Sequence, residues 1–190
     1  MSQTEGMKIP TARDLDGRTD EVRAAPRDAG RVELIVRRPG PDRREVLSEA
    51  TLDPERGLVG DDWLRRGSRS TSDGSADPEA QLTIMSTRVL AAIAPDRSLW
   101  PLAGDQVCAD LDLSLEHMPP GTRLAIGDAE VVVTAKPHTG CSKFGARFGQ
   151  DALDWMSSAA GKELRLRGVY VRIVRGALIR TGDTVRKIAP

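Results

Sequence analysis

The chain has 190 residues, enough for one domain that builds its own core without disulfides or structural metals. Its 28 basic and 28 acidic residues cancel, which removes the basic excess expected of nucleic-acid binders and of proteins held on anionic membranes. Two cysteines make no disulfide framework, the polar N-terminus shows no signal peptide, and the longest apolar run, Val89 to Ala94, is far too short to span a bilayer. A reducing cytoplasm with free thiols is the expected location.

Residues 1–30 are rich in Asp, Glu, Arg, Thr, Ala and Pro and carry no sustained period, which predicts a flexible N-terminal arm ahead of a domain over residues 31–190. Structure is expected from Arg31 to Val36, a strand with Val32, Leu34 and Val36 on one face, closed by Pro39-Gly40-Pro41. A second strand covers Glu45 to Leu52, and the loop Gly57–Trp63 follows. Arg65 to Ala80, dense in Ser, Gly, Asp and Arg, reads as a mobile surface insertion.

Gln81 to Ser86 resumes as a strand, and Ser86 is placed to cap a short helix that ends at Ala94, before Pro95. Val107 to Leu113 alternates as a strand. The clearest local signal is Thr122–Ile126 and Ala129–Ala135 around Gly127-Asp128, a tight hairpin. Lys136 to Phe144 is a loop, one or two short helices occupy Gly145 to Ala160, and the strands Gly168–Val174 and Val185–Ile188 flank Gly182-Asp183. Many short strands with two helical interruptions predict a mainly β fold, an antiparallel or mixed β-barrel with a few short peripheral helices. Aromatic residues are only 3% of the chain, so the core must be aliphatic.

Cys141 stands out for its company. A thiol is a weak nucleophile or ligand until neighbouring cations or helix amides favour the thiolate. Lys136, His138, Lys143 and Arg147 are the nearby candidates, and a helix starting at Ser142 would add its positive end. Gly140 would let the chain turn sharply and leave room beside the sulfur. A free cysteine packed under a loop is the plain alternative. Cys108, inside an alternating strand, reads as a small buried hydrophobe, and His117, before a turn, as a surface residue. A zinc site from Cys108, His117, His138 and Cys141 lacks any close ligand pair. Asp61 and Asp105 lie in Gly-Asp loops, where carboxylates either serve acid–base and cation chemistry or simply favour turns. No phosphate-cradling glycine motif is present.

Several segments in order resemble the MOSC family, the domain at the C-terminus of molybdenum cofactor sulfurases. They are Gly57-Leu58-Val59-Gly60-Asp61, Gln81–Met85, Leu102–Asp105, Pro119–Gly127, the loop holding Cys141, and Gly168–Arg172 with Gly182–Val185. The likeness runs from Arg31 to Lys187. It differs from the commoner pattern at Trp63, Gln106 and Gly140, where many members have His, Asn and Pro. The resemblance implies a MOSC-type β-barrel related to the small barrel domain of pyruvate kinase. It also implies that Cys141 either ligates molybdenum in a bound molybdenum cofactor (molybdopterin) or carries sulfur as a persulfide, and His138, three residues away, is the candidate to orient or acidify a group beside it. Lys136, Lys143, Arg147, Asp61 and Asp105 are then the cofactor-binding candidates, and no pyridoxal phosphate is expected. The readings that follow are a cofactor-dependent oxidoreductase, a sulfur carrier, and a non-catalytic binding module. Their partners are a small-molecule or cofactor ligand and a sulfur donor or redox partner protein, with no nucleic acid and no membrane; the oligomeric state stays open.

Overall fold

The computed structural model of the protein describes residues 9–188. In chain order the elements are α1 (Ala12–Asp16), α2 (Thr19–Arg23), β1 (Ala29–Arg37), β2 (Glu45–Leu47), β3 (Glu49–Asp53), β4 (Gly57–Leu58), α3 (Trp63–Arg66), β5 (Leu82–Ser86) and α4 (Thr87–Ile93). Then come β6 (Val107–Asp110), β7 (Arg123–Ile126), β8 (Ala129–Val133), α5 (Ser142–Phe148), α6 (Gln150–Ser157), α7 (Ala159–Glu163), β9 (Val169–Arg175), β10 (Ala177–Arg180) and β11 (Thr184–Ile188).

Seven strands close a barrel in the order β1-β6-β5-β9-β8-β7-β11, and β11 pairs back onto β1 at Ala29–Arg31. Closure leaves these strands no open edge. All neighbours are antiparallel except β5 and β6, whose parallel pairing requires the crossover that α4 provides. The tight β7–β8 hairpin turns at Gly127, whose φ of +53° is left-handed. A small sheet, β10-β3-β4, packs beside the barrel. Its strand β10 is not visible in the sequence pattern, and the strand expected over Glu45–Leu52 is in fact two, β2 on the barrel sheet and β3 on the small one.

Two apolar layers follow from the strand period. Inward side chains such as Val32, Ile35, Leu82, Ile84, Leu124, Val131 and Val171 fill the barrel. Outward ones, Leu34, Met85 and Cys108, meet a second layer formed by α4, α5, α6 and the 3-10 turn Arg97–Ala103, including Trp100, Phe144, Phe148 and Trp155. Along β1 the simple alternation fails: the register against β6 shifts between Val32 and Leu34, so Ile35 rather than Leu34 joins Val32 inside. Cys108 behaves as the buried hydrophobe expected.

The flexible arm expected over residues 1–30 is ordered against the outer layer from residue 9; its first eight residues lie outside the described residues, as do positions 189–190 of the expected domain. Thr11 and Asp14 form a capping box on α1. Leu15, Val22 and Ala25 are buried, and Asp151 and Thr19 tie the segment to α6. Each five-residue helix contributes a single core residue, too few to register as a period. The insertion Arg65–Ala80 lies largely on the surface as expected, yet is cross-braced by Ser70, Thr71 and Asp77. His117, expected at the surface, is buried with its ring against the Arg27 carbonyl. No helix among the described residues is long and apolar enough to cross a membrane.

Candidate functional site

The chain leaves β8 at Val133 and reaches α5 at Ser142 through the loop singled out from the sequence. Cys141 is the residue ahead of α5: its carbonyl accepts from the Phe144 and Gly145 amides, while its side chain is exposed and makes no capping bond. Gly140 does not make a left-handed turn. A Cβ there would stand 2.3 Å from Leu153 Cδ1, so the glycine makes room for α6, not for the space beside the sulfur that was expected.

The three cations expected around Cys141 all have acidic partners. Lys136 pairs with Asp77 and donates to Ser70 Oγ at 2.7 Å. Lys143 and Arg147 both reach Asp42, at 3.0 and 2.9 Å, and hold its carboxyl below the usual range, Lys143 foremost. Arg147 also donates to the Leu102 carbonyl.

Asp61 and Asp105 are not open to a ligand as expected; the side chain of each is fully buried and holds an arginine. Asp61 takes the Arg38 guanidinium in a two-pronged bond, both contacts at 2.9 Å, and accepts from the Arg38 and Trp63 amides. Burial opposes the charge of Arg38, but the Asp61 bond and charge prevail and raise its pKa. Asp105 accepts from Arg167 at 2.6 Å, and Arg167 further donates to the Ala103 carbonyl and lies over the Phe144 ring. One oxygen of Asp105 and Nε of Arg167 have no partner, although both are buried.

His138, expected beside Cys141 as a cation, is enclosed by the fold. Its side chain is 6% exposed, its ring packs against Tyr170 with centroids 4.4 Å apart, and its Nδ1 faces the free Asp105 oxygen at 3.7 Å, beyond hydrogen-bond range. Burial first, then the charges of Arg167 and Arg38, push its pKa well below the ordinary value, so the imidazole is neutral. It therefore adds no positive charge to the Cys141 loop.

Three concavities surround these groups. One of about 190 Å³ is lined by Arg38, Arg66, Lys136 and Arg167 against a single carboxylate, Asp77, with His138, Tyr170 and Trp63 in its wall. A second, about 540 Å³, is lined by Arg38, Arg44, Arg65, Arg66 and Lys143 against Asp42 and Asp62. A third, about 470 Å³, is more apolar and runs along Thr134–Gly140. Gly140 lines the third and Lys143 the second, so Cys141 lies between two concavities along the chain.

Arg38, Arg44 and Arg167 are the site residues that sequence reasoning missed. Arg38 follows β1 just before Pro39, and Arg167 stands one residue before Gly168, positions without any motif of their own. Their one legible signal is that the two Gly-Asp acids need buried partners. The departures at Trp63 and Gln106 are structural: Trp63 is buried and donates to the Asp77 carbonyl, and Gln106 accepts from the Thr83 amide and hydroxyl at 3.0 and 2.6 Å. Among the described residues no group of three metal-ligating side chains converges, which disposes of the four-residue zinc arrangement.

The MOSC domain model matches residues 72–186. Among solved structures, the YuaD protein from Bacillus subtilis superposes with a TM-score of 0.63 at 14% identity, covering 83% of this chain and 94% of that one. YiiM from Escherichia coli gives 0.55 at 18%, covering 84% and 70%, and YiiM from Geobacillus stearothermophilus gives 0.57 at 14%, covering 85% and 75%. No curated protein matches the sequence.

Proposed function

Because the chain belongs to the MOSC domain family, we propose that it binds the molybdenum cofactor, with Cys141 as a ligand to the metal and the arginine-lined concavities holding the cofactor's anionic end. The reading rests foremost on charge: beside the loop that carries the exposed thiol, seven cationic residues line two concavities against three acidic ones, with Asp61 and Asp105 behind two of the arginines.

The donor set suits such a group. A thiolate is a soft ligand for a thiophilic metal. Buried donors without partners, Nε of Arg167 and Nε of Arg44, call for an acceptor, and a phosphate oxygen is one. Asp61 and Asp105 act behind the arginines, fixing each guanidinium so that its remaining N–H groups are aimed before any ligand arrives. Neutral His138 can accept or donate one hydrogen bond without adding charge. When bound, the cofactor would supply two-electron redox chemistry at the metal, which makes an oxidoreductase the activity this reading favours.

Elemental analysis tests it. Protein purified from a host that makes the cofactor should carry molybdenum near one atom per chain, and Cys141→Ser should carry far less. Equal metal in both, or none in either, would overturn the reading. Sulfur carriage is the second reading, favoured by the exposure of Cys141 to a donor protein. There the thiolate attacks a donor persulfide, takes its outer sulfur and releases the donor thiolate. Mass spectrometry should then find one added sulfur on Cys141 that a reducing thiol removes.

A further inference from the structure

The third concavity has a composition unlike the other two. Leu115, Pro120, Pro137, Met156 and Val169 make much of its wall, and not one acidic side chain lines it. Four cations do. Lys136 and Arg167 are already matched by Asp77 and Asp105, whereas Lys162 and Arg165 have no carboxylate partner among the described residues; Arg165 donates only to the Met118 carbonyl.

Arg165 also sits where its backbone resists it. It follows the last residue of α7 and its cap Leu164, the Leu166 amide bonds the Gly161 carbonyl, and the Arg165 amide bonds that of Lys162. This is the helix ending in which the residue at the Arg165 position is left-handed and ordinarily glycine. Here an arginine holds φ at +49°. A strained backbone position whose side chain lines a cavity, half-buried and without a counter-charge, is the kind of local cost that a site retains for a ligand. Two buried polar atoms without partners also belong to residues of this wall, Nδ1 of His138 and Nε of Arg167, the latter shared with the cofactor reading.

We propose that this concavity binds a small amphipathic organic anion, a carboxylate or sulfonate on an apolar body. Its charged end lies at Lys162 and Arg165, and its body lies against Met156, Val169 and the Tyr170 ring. The volume, about 470 Å³, is in the range of small-molecule sites. The inference rests on Lys162 and Arg165, which the cofactor reading does not use, while Lys136, His138 and Arg167 line both sites.

Calorimetric titration of the full chain with naphthoate, its uncharged analogue naphthamide, and inorganic phosphate tests it. Naphthoate should bind roughly tenfold or more tighter than naphthamide, the ratio that one charge-assisted hydrogen bond supplies. Inorganic phosphate should displace naphthoate only weakly, because it has no apolar body. Arg165→Gly, which suits the left-handed backbone and leaves Tm unchanged or higher, should erase most of the preference, and Lys162→Gln should reduce it. Equal binding of naphthoate and naphthamide, no binding of either, displacement by phosphate as strong as by naphthoate itself, or an unaltered preference in Arg165→Gly would each overturn the proposal.

Discussion

Replacing Asp105 by leucine removes the partner of a guanidinium whose side chain is 10% exposed while keeping the branched outline of the side chain. Arg167 would keep the Ala103 carbonyl and the Phe144 ring but would face the interior as an uncompensated charge. Breaking a buried pair this way costs about 3–5 kcal/mol. In a domain of this size each kcal/mol moves Tm by about 2–4 °C, so a fall of roughly 6–20 °C is expected. Arg167→Leu should cost a similar amount, since it strands the carboxylate in turn. The double variant discriminates: with both charges gone, its loss should fall well below the sum of the two single losses. Urea unfolding of the four proteins measures this coupling. Losses that add within about 0.5 kcal/mol would show that the two residues do not act as a unit, and would refute the account of Asp105 as the group that holds Arg167. The double variant should also lose anion affinity even where its stability recovers.

Stability should fall in mild acid because of His138. The fold holds it neutral, while the unfolded chain binds a proton near its ordinary pKa of about 6.5, so stability is full above that value and drops below it, by up to about 1.4 kcal/mol per pH unit. The wild-type urea midpoint should fall between about pH 7 and 5, and His138→Gln should flatten that fall; an unchanged slope contradicts a buried neutral imidazole. Leu15→Ala should lose about 2–5 kcal/mol of unfolding free energy, whereas a loose arm would give no measurable change. Gly168→Ala should cost roughly 2–5 kcal/mol, because φ is +88° and the new Cβ would meet the Ile84 carbonyl oxygen at 2.3 Å; a tolerated alanine would mean the two segments are farther apart. In native protein, iodoacetamide followed by peptide mass mapping should label Cys141 and spare Cys108, with Cys108 labelled only in denaturant.

Much of the barrel was legible because its strands alternate and its turns carry Gly-Asp. The β7–β8 hairpin is the clearest case, with Val131 and Val133 facing inward and Gly127 at the turn. What escaped is of three kinds. A bulge in β1 exchanged Leu34 for Ile35, and a period-two reading has no means of anticipating one inserted residue. The helices of residues 12–23 are held by tertiary contacts of Leu15 and Val22 to the outer layer and carry no period of their own. The third kind is pairing. Lys136, Lys143 and Arg147 are near Cys141 in sequence, yet their charges are directed to Asp77 and Asp42, which lie 59 to 105 positions away. Arg38 and Arg167 are paired 23 and 62 positions away, and only their acidic partners Asp61 and Asp105 stood in visible motifs.

X-ray absorption at the molybdenum edge, on protein purified from a cofactor-producing host, reads the central claim at the metal itself. Wild type should show one more sulfur neighbour than Cys141→Ser among whatever metal each retains. The same sulfur count in both would mean that Cys141 is not a ligand.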